Sequence, residues 1–258
     1  MKTRISEFLE RYDLLRNLIW AELTARYKTA ILGILWFVLN PLIAMVMLII
    51  VFSDVIHLDI KNYPVFVLSA LLPWTFFSMA VTNATSSLSR SSSLVKRVRI
   101  RRSYVPLSAV GASLIHFLIS LLLLFFFMVF SSSRFSLLIL LLPLVICLQM
   151  IFLTGASLLT SSLNVFYRDI EHVLGPLIQA LFYLTPSFYP LSYVPKRWLG
   201  WYLINPMAGI IEIYRDTLTQ GILPARSVLG MAVLTSSITL AAGVMVFRNL
   251  EPYFDDYI

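Results

Sequence analysis

Residues 103–133 read Ser-Tyr-Val-Pro-Leu-Ser-Ala-Val-Gly-Ala-Ser-Leu-Ile-His-Phe-Leu-Ile-Ser-Leu-Leu-Leu-Leu-Phe-Phe-Phe-Met-Val-Phe-Ser-Ser-Ser. No Asp, Glu, Lys or Arg interrupts them. A membrane-crossing helix needs about 20 mostly apolar residues, and this run exceeds that. Working outward, five more charge-free gaps of 21 residues or more appear: Thr29–Ser53, Asn62–Ser89, Phe135–Tyr167, His172–Pro195 and Ser227–Phe247. Lipid offers the backbone no hydrogen-bond partner, so each gap is expected to be a helix. The runs lack the alternating polarity of barrel strands. A further gap, Trp198–Ile211, holds 14 residues and is too short to cross; it suits a re-entrant or interfacial segment.

Composition agrees. Of 258 residues, 59% are apolar and 13% charged, against about 25% charged in an ordinary soluble domain, and mean hydropathy is +0.85. Soluble enzymes, disordered chains and disulfide-stapled domains are excluded. The single cysteine, Cys147, has no partner within the chain. The expected fold is an all-α polytopic membrane protein with six transmembrane helices. An interfacial amphipathic helix precedes them, and short re-entrant helices precede the last span. The divisions are 1–30 for the interface helix, 31–248 for the six-span domain and 249–258 for a tail.

Cation positions orient the chain. With both termini inside, the inner segments carry 14 of the 20 Lys and Arg residues, so both termini are expected in the cytoplasm. The first thirty residues are not a signal peptide, because Glu7, Glu10, Asp13 and Glu22 interrupt them. Ile5, Phe8, Leu9, Tyr12, Leu15, Ile19 and Leu23 recur at helical spacing instead.

The spans lack catalytic machinery. There is no phosphate loop ending in Gly-Lys-Ser/Thr and no Cys/His cluster with metal-ligand spacing. No catalytic residue and no metal ligand is assigned, and the chain is not read as an enzyme. Of the histidines, only His116 lies in the interior of a gap, and it reads as a neutral packing residue; His57 and His172 lie at span ends. Transport by such a chain must draw its energy from a partner.

Three loops carry the remaining information. The inner loop 90–104 has six positive charges between Arg90 and Arg102, interleaved with Leu94, Val95, Val98 and Ile100. A topology signal explains the charges; the apolar residues add a docking surface, with Arg97, Arg99 and Arg101 as contacts. The second inner loop, 164–172, offers Arg168, Asp169 and Glu171 as a second contact. The outer segment 190–224 begins within a stretch rich in rings and prolines: Tyr183 to Tyr202 holds seven aromatics and three prolines. Pro195, Asn205-Pro206 and Gly221 divide this segment into short helices, with Trp198, Trp201 and Tyr202 near the headgroups. Glu212, Arg215 and Asp216 are expected in water.

Arg26-Tyr-Lys-Thr-Ala-Ile-Leu-Gly33-Ile-Leu-Trp36-Phe-Val-Leu-Asn-Pro41-Leu resembles the Leu-Gly-x-Leu-Trp-x-x-Leu-x-Pro-Leu signature of permease subunits in polysaccharide and polyol-phosphate ABC exporters. Tyr167-Arg168-Asp169, Thr185-Pro186 through Tyr189-Pro190, Asn205-Pro206 and Tyr214-Arg215 follow in that family's order. The chain most resembles the O-antigen exporter permeases. The resemblance implies a homodimer in the bacterial inner membrane, bound to two copies of a cytoplasmic ABC ATPase that hold the ATP and Mg; this chain itself carries no cofactor. It implies a glycan on a polyprenyl diphosphate as cargo, and no nucleic acid as partner. Trp36, Phe37, Trp74, Phe182, Tyr183, Phe188 and Tyr189 are then channel residues that meet sugars. Arg26 and Lys28 stand at the entrance for the lipid diphosphate, and Trp198, Trp201 and Tyr202 form the outer gate. Teichoic-acid export, a drug or small-ion permease of the same fold, and a membrane enzyme acting on lipid-linked sugar are the alternatives.

Overall fold

The computed structural model describes residues 2–27, 33–57, 60, 62–91, 101–131 and 136–257. Most of these residues are helical, and the breaks between helices are short. Helix α1 is Lys2–Tyr27, and α2 is Trp36–Ile49, continued by a π-helical turn, Ile50–Val55. Then follow α3, Tyr63–Arg90, α4, Tyr104–Phe130, α5, Leu142–Phe166, and α6, Asp169–Leu184. Two short helices, α7, Lys196–Ile204, and α8, Pro206–Arg215, precede α9, Arg226–Leu250, and a final turn of helix, α10, Phe254–Tyr257.

Five segments among the described residues are long and apolar enough to cross a membrane: Trp36–Ser53, Tyr63–Arg90, Tyr104–Phe130, Leu137–Phe166 and Arg226–Tyr253. The protein is a multi-pass membrane protein. The remaining charge-free gap differs from its expected length. Its one α-helix is Asp169–Leu184, whose 16 residues rise about 24 Å, short of the roughly 30 Å hydrocarbon core. Pro186 stops the helix: the residue before a proline is pushed out of the helical region, and Thr185 has ψ 139°.

Helix α3 is the axis of the bundle. Of its apolar window 78% is buried, against 17% for α2 and 22% for α9. It packs on α2, α4, α5, α6 and α8. Helices α5 and α9 form the other close pair, and two glycines set their distance. A Cβ on Gly155 would stand 2.5 Å from the backbone of Leu240, and one on Gly243 2.1 Å from the Gly155 carbonyl oxygen. Small residues let membrane helices approach until their backbones touch. Helix α1 lies against α4, where Ile19 fills the space left by Gly111, and Glu22 pairs with Arg90 at 3.6 Å.

His116 is buried, with its ring 4.0 Å from that of Phe37. After Pro206, the helically spaced Ile210, Ile211, Tyr214 and Leu218 are all buried, and α8 packs among α3, α5 and α9.

Candidate functional site: an aromatic groove beside a proline-broken cap

Helix α6 ends at Leu184, and the next residues cannot resume a helix because Pro186 and Pro190 intervene. Their carbonyls therefore lack the partners that a helix would supply. Arg215 supplies them from α8. Its guanidinium is wholly buried and donates to the carbonyls of Pro186 at 2.5 Å, Ser187 at 2.7 Å and Tyr189 at 3.1 Å. Its other face covers the Phe66 ring, 3.8 Å from the centroid. The Glu212 carboxylate stands 3.8 Å away.

This corrects the expectation that Glu212, Arg215 and Asp216 stay in water. Arg215 and Asp216 are buried and Glu212 half-buried. The apolar face of α8 and the orphaned carbonyls together draw the guanidinium inward, where a planar fork of donors matches several acceptors. Burial lowers the guanidinium to about 10, and Glu212 opposes that shift. Burial likewise raises the Asp216 carboxyl to about 6. Nothing in composition or spacing marked Arg215 as inward; the proline pair preceding a short helix was the available signal.

Other ties hold the same end. Tyr63 donates its hydroxyl hydrogen to the Phe188 carbonyl at 3.1 Å. Asn205 caps α8 by accepting from the Met207 N–H at 3.0 Å and donates to the Thr185 hydroxyl at 2.8 Å. The Tyr189 and Tyr202 hydroxyls meet at 3.3 Å. Inside the bundle Tyr214 donates to the Gln149 side-chain oxygen at 2.9 Å, and Gln149 donates to the Pro73 carbonyl at 2.8 Å. Sequence reading passed over Gln149 because it carries no charge. Replacing it with leucine should strand the Tyr214 hydroxyl, at about 1–3 kcal/mol for the orphaned group. Tyr214→Phe in the Gln149→Leu background should recover part of that loss. Equilibrium unfolding of the purified double and single variants measures the coupling.

The rings named from sequence separate into two groups. Trp74, Phe182, Tyr183, Phe188 and Tyr189 form one chain of contacts. Trp74–Phe182 are 5.4 Å apart, Phe182–Tyr183 5.7 Å, Phe182–Phe188 5.9 Å and Phe188–Tyr189 5.0 Å. Phe52, in the turn after α2, stacks on Phe188 at 4.7 Å. Trp36 and Phe37 lie apart, at the opposite end of α2; Trp36 is partly exposed and Phe37 buried against His116. Beside the first group α2, α3 and α6 enclose an open groove of about 480 Å³, lined by Met47, Leu71, Trp74, Gln179, Phe182 and Tyr183 among others. Apolar and aromatic walls with few polar groups suit a ligand that presents C–H faces.

The remaining sites are dispersed. Trp198 and Trp201 stand exposed on α7, with Tyr202 turned toward Tyr189. At the other end of the bundle Arg101, Arg168, Asp169 and Glu171 are exposed. Asn164, buried below them, accepts from the Glu171 N–H at 3.1 Å and donates to the Thr85 carbonyl at 3.1 Å. Lys28, Arg97, Arg99 and the side chain of Arg26 lie outside the described residues.

A bundle of long apolar helices with a broken, proline-rich cap and no charge in its groove wall defines a polytopic membrane protein. Residues 13–219 match the family model of the ABC-2 type transporters, and the chain belongs to that family. It is 31% identical over 248 residues to the O-antigen export system permease protein RfbA of Klebsiella pneumoniae, which covers 96% of this chain and 95% of that one. The protein of the same name from Myxococcus xanthus is 29% identical over 256 residues, 98% of each chain. The polysialic acid transport protein KpsM of Escherichia coli is 23% identical over 237 residues, 89% of this chain and 90% of that one.

Proposed function

We propose that the chain is the permease subunit of an ABC exporter that carries a polyprenyl-diphosphate-linked polysaccharide of the O-antigen type across the inner membrane. The observation that carries the reading is near-full-length similarity to the O-antigen export permeases, and the uncharged aromatic groove agrees with it. A separate ABC ATPase supplies the energy and binds ATP and Mg. Two permease chains face each other across the groove, so that the pore wall combines Trp74, Phe182 and Tyr183 of each. Rings give sugars stacking contact without fixed charges, which lets a long glycan slide. Arg26 and Lys28 receive the anionic diphosphate, as cations pair strongly with phosphate oxygens. Arg97, Arg99, Arg101, Arg168, Asp169 and Glu171 meet the ATPase at the cytoplasmic end. Trp198, Trp201 and Tyr202 close the outer end.

Deleting the gene in its host should remove the polysaccharide from the cell surface and leave lipid-linked glycan in the inner leaflet. The chain expressed with its ATPase should restore export. Normal surface glycan after deletion would overturn the reading. The chain purified alone should hydrolyse no ATP. Trp74→Ala with Phe182→Ala should lower export about tenfold, the equivalent of roughly one stacked ring contact, while the ATPase is still recovered with the permease.

A further inference from the structure

The residues after α9 do not leave the bundle. A 3-10 turn, Glu251–Tyr253, and α10 fold back against its end. Phe254 is fully buried, 5.4 Å from the Phe247 ring and 6.0 Å from that of Phe166. The Arg102 guanidinium lies 6.0 Å over the Phe254 ring, donates to the Glu251 carbonyl and pairs with Asp255 at 2.5 Å. The Tyr257 ring stands 4.7 Å from Phe166.

These contacts gather two loops that are far apart in sequence. Arg102 closes the basic stretch and leads into α4; Phe166 ends α5 and leads into Tyr167-Arg168-Asp169. One seven-residue segment therefore clasps the exit of the first inner loop to the start of the second. Its anchor, Phe254, faces inward, while Pro252, Tyr253, Asp255 and Tyr257 are exposed. Tyr253 and Tyr257 are exposed, as is Tyr167, the residue after Phe166, and the Asp255 side chain is 68% exposed.

We propose that residues 251–257 are a third part of the surface that receives the ATPase subunit, holding both inner loops in one arrangement so that they move together. The inference rests on the transporter reading above, because its partner is that ATPase. The chemistry favours a folded protein over lipid. Exposed tyrosines supply contact area at low entropic cost and recur at the centres of protein interfaces. Asp255 and the Glu251 carbonyl meet Arg102, and exposed Arg101 and Arg168 belong to the two loops the segment joins. A face of mixed sign complements a protein, whereas anionic headgroups would repel its carboxylates. The clasp is continuous with α9 and touches the ends of α4 and α5, so a push on it reaches three spans at once.

The test uses the permease co-expressed with its ATPase. Tyr253→Ala with Tyr257→Ala should lower the recovered ATPase about tenfold, with insertion and monodispersity of the permease unchanged. Asp255→Arg should reduce export about tenfold relative to ATP turnover, and adding Arg102→Asp should restore it, because the swap rebuilds the pair with its sign reversed. Unchanged ATPase recovery and unchanged coupling in these variants would overturn the proposal. So would losses that follow the anionic lipid content of reconstituted membranes instead of the ATPase. An unsubstituted chain that recovers no ATPase would overturn the transporter reading itself.

Discussion

Arg215→Met is expected to release the segment 185–193 from the bundle. The guanidinium carries three hydrogen bonds to carbonyls of residues 186, 187 and 189, and no helix stands ready to take them over. Each stranded buried acceptor costs about 1–3 kcal/mol, so the variant loses several. For a chain of this size the midpoint of thermal unfolding should fall on the order of 10 °C. Arg215→Lys should recover little, since a compact ammonium on a flexible stem cannot reproduce the fork that reaches three carbonyls. Glu212→Gln should be much milder, because that carboxylate is only partly buried and 3.8 Å from the guanidinium. A cysteine at Ser187 in a Cys147→Ser background gives an independent reading. Ser187 is buried and should label slowly with an impermeant thiol reagent while Arg215 is present, and quickly in the Arg215→Met variant. An unchanged melting midpoint with slow labelling would refute the latch.

The second large effect is expected at the α5–α9 contact. In Gly243→Ala the new methyl would stand 2.1 Å from the Gly155 carbonyl oxygen. That neighbour is backbone and cannot rotate away, so the two helices must separate. Overpacking a tight contact costs about 1–3 kcal/mol and occasionally more; a backbone clash of this depth belongs at the upper end. Gly155→Ala meets the backbone of Leu240 at 2.5 Å and should behave alike. Gly230→Ala in the same helix meets nothing within 4 Å and should be neutral or stabilising by up to about 1 kcal/mol, since alanine is the better helix former. Equal stability of the Gly230 and Gly243 variants would show that the helices do not touch as described.

The sequence by itself determined the class almost entirely, together with five of the six expected spans. Charge is so costly at membrane depth that gaps between Asp, Glu, Lys and Arg mark the spans directly, and Asn205-Pro206 announces the break between α7 and α8. The membership in the ABC exporter family was also legible, because its motifs are local strings such as Leu32-Gly33 through Pro41-Leu42. Only the tertiary structure decided where the polar groups inside that frame go. Helix α6 stops at Leu184 although its charge-free gap runs to Pro195, since a proline's effect on the preceding residue outweighs hydrophobicity. Trp74, Phe182 and Tyr183 share a groove while Trp36 and Phe37 do not, because proximity across α2, α3 and α6 leaves no mark on spacing along the chain. Arg215 is buried although a charged residue before a turn reads as exposed. A charge is tolerated inside when enough fixed dipoles surround it, and here those dipoles are three carbonyls from a segment more than twenty-five residues earlier in the chain. Such compensation comes from a neighbour brought close by folding, so no reading of residues one after another contains it.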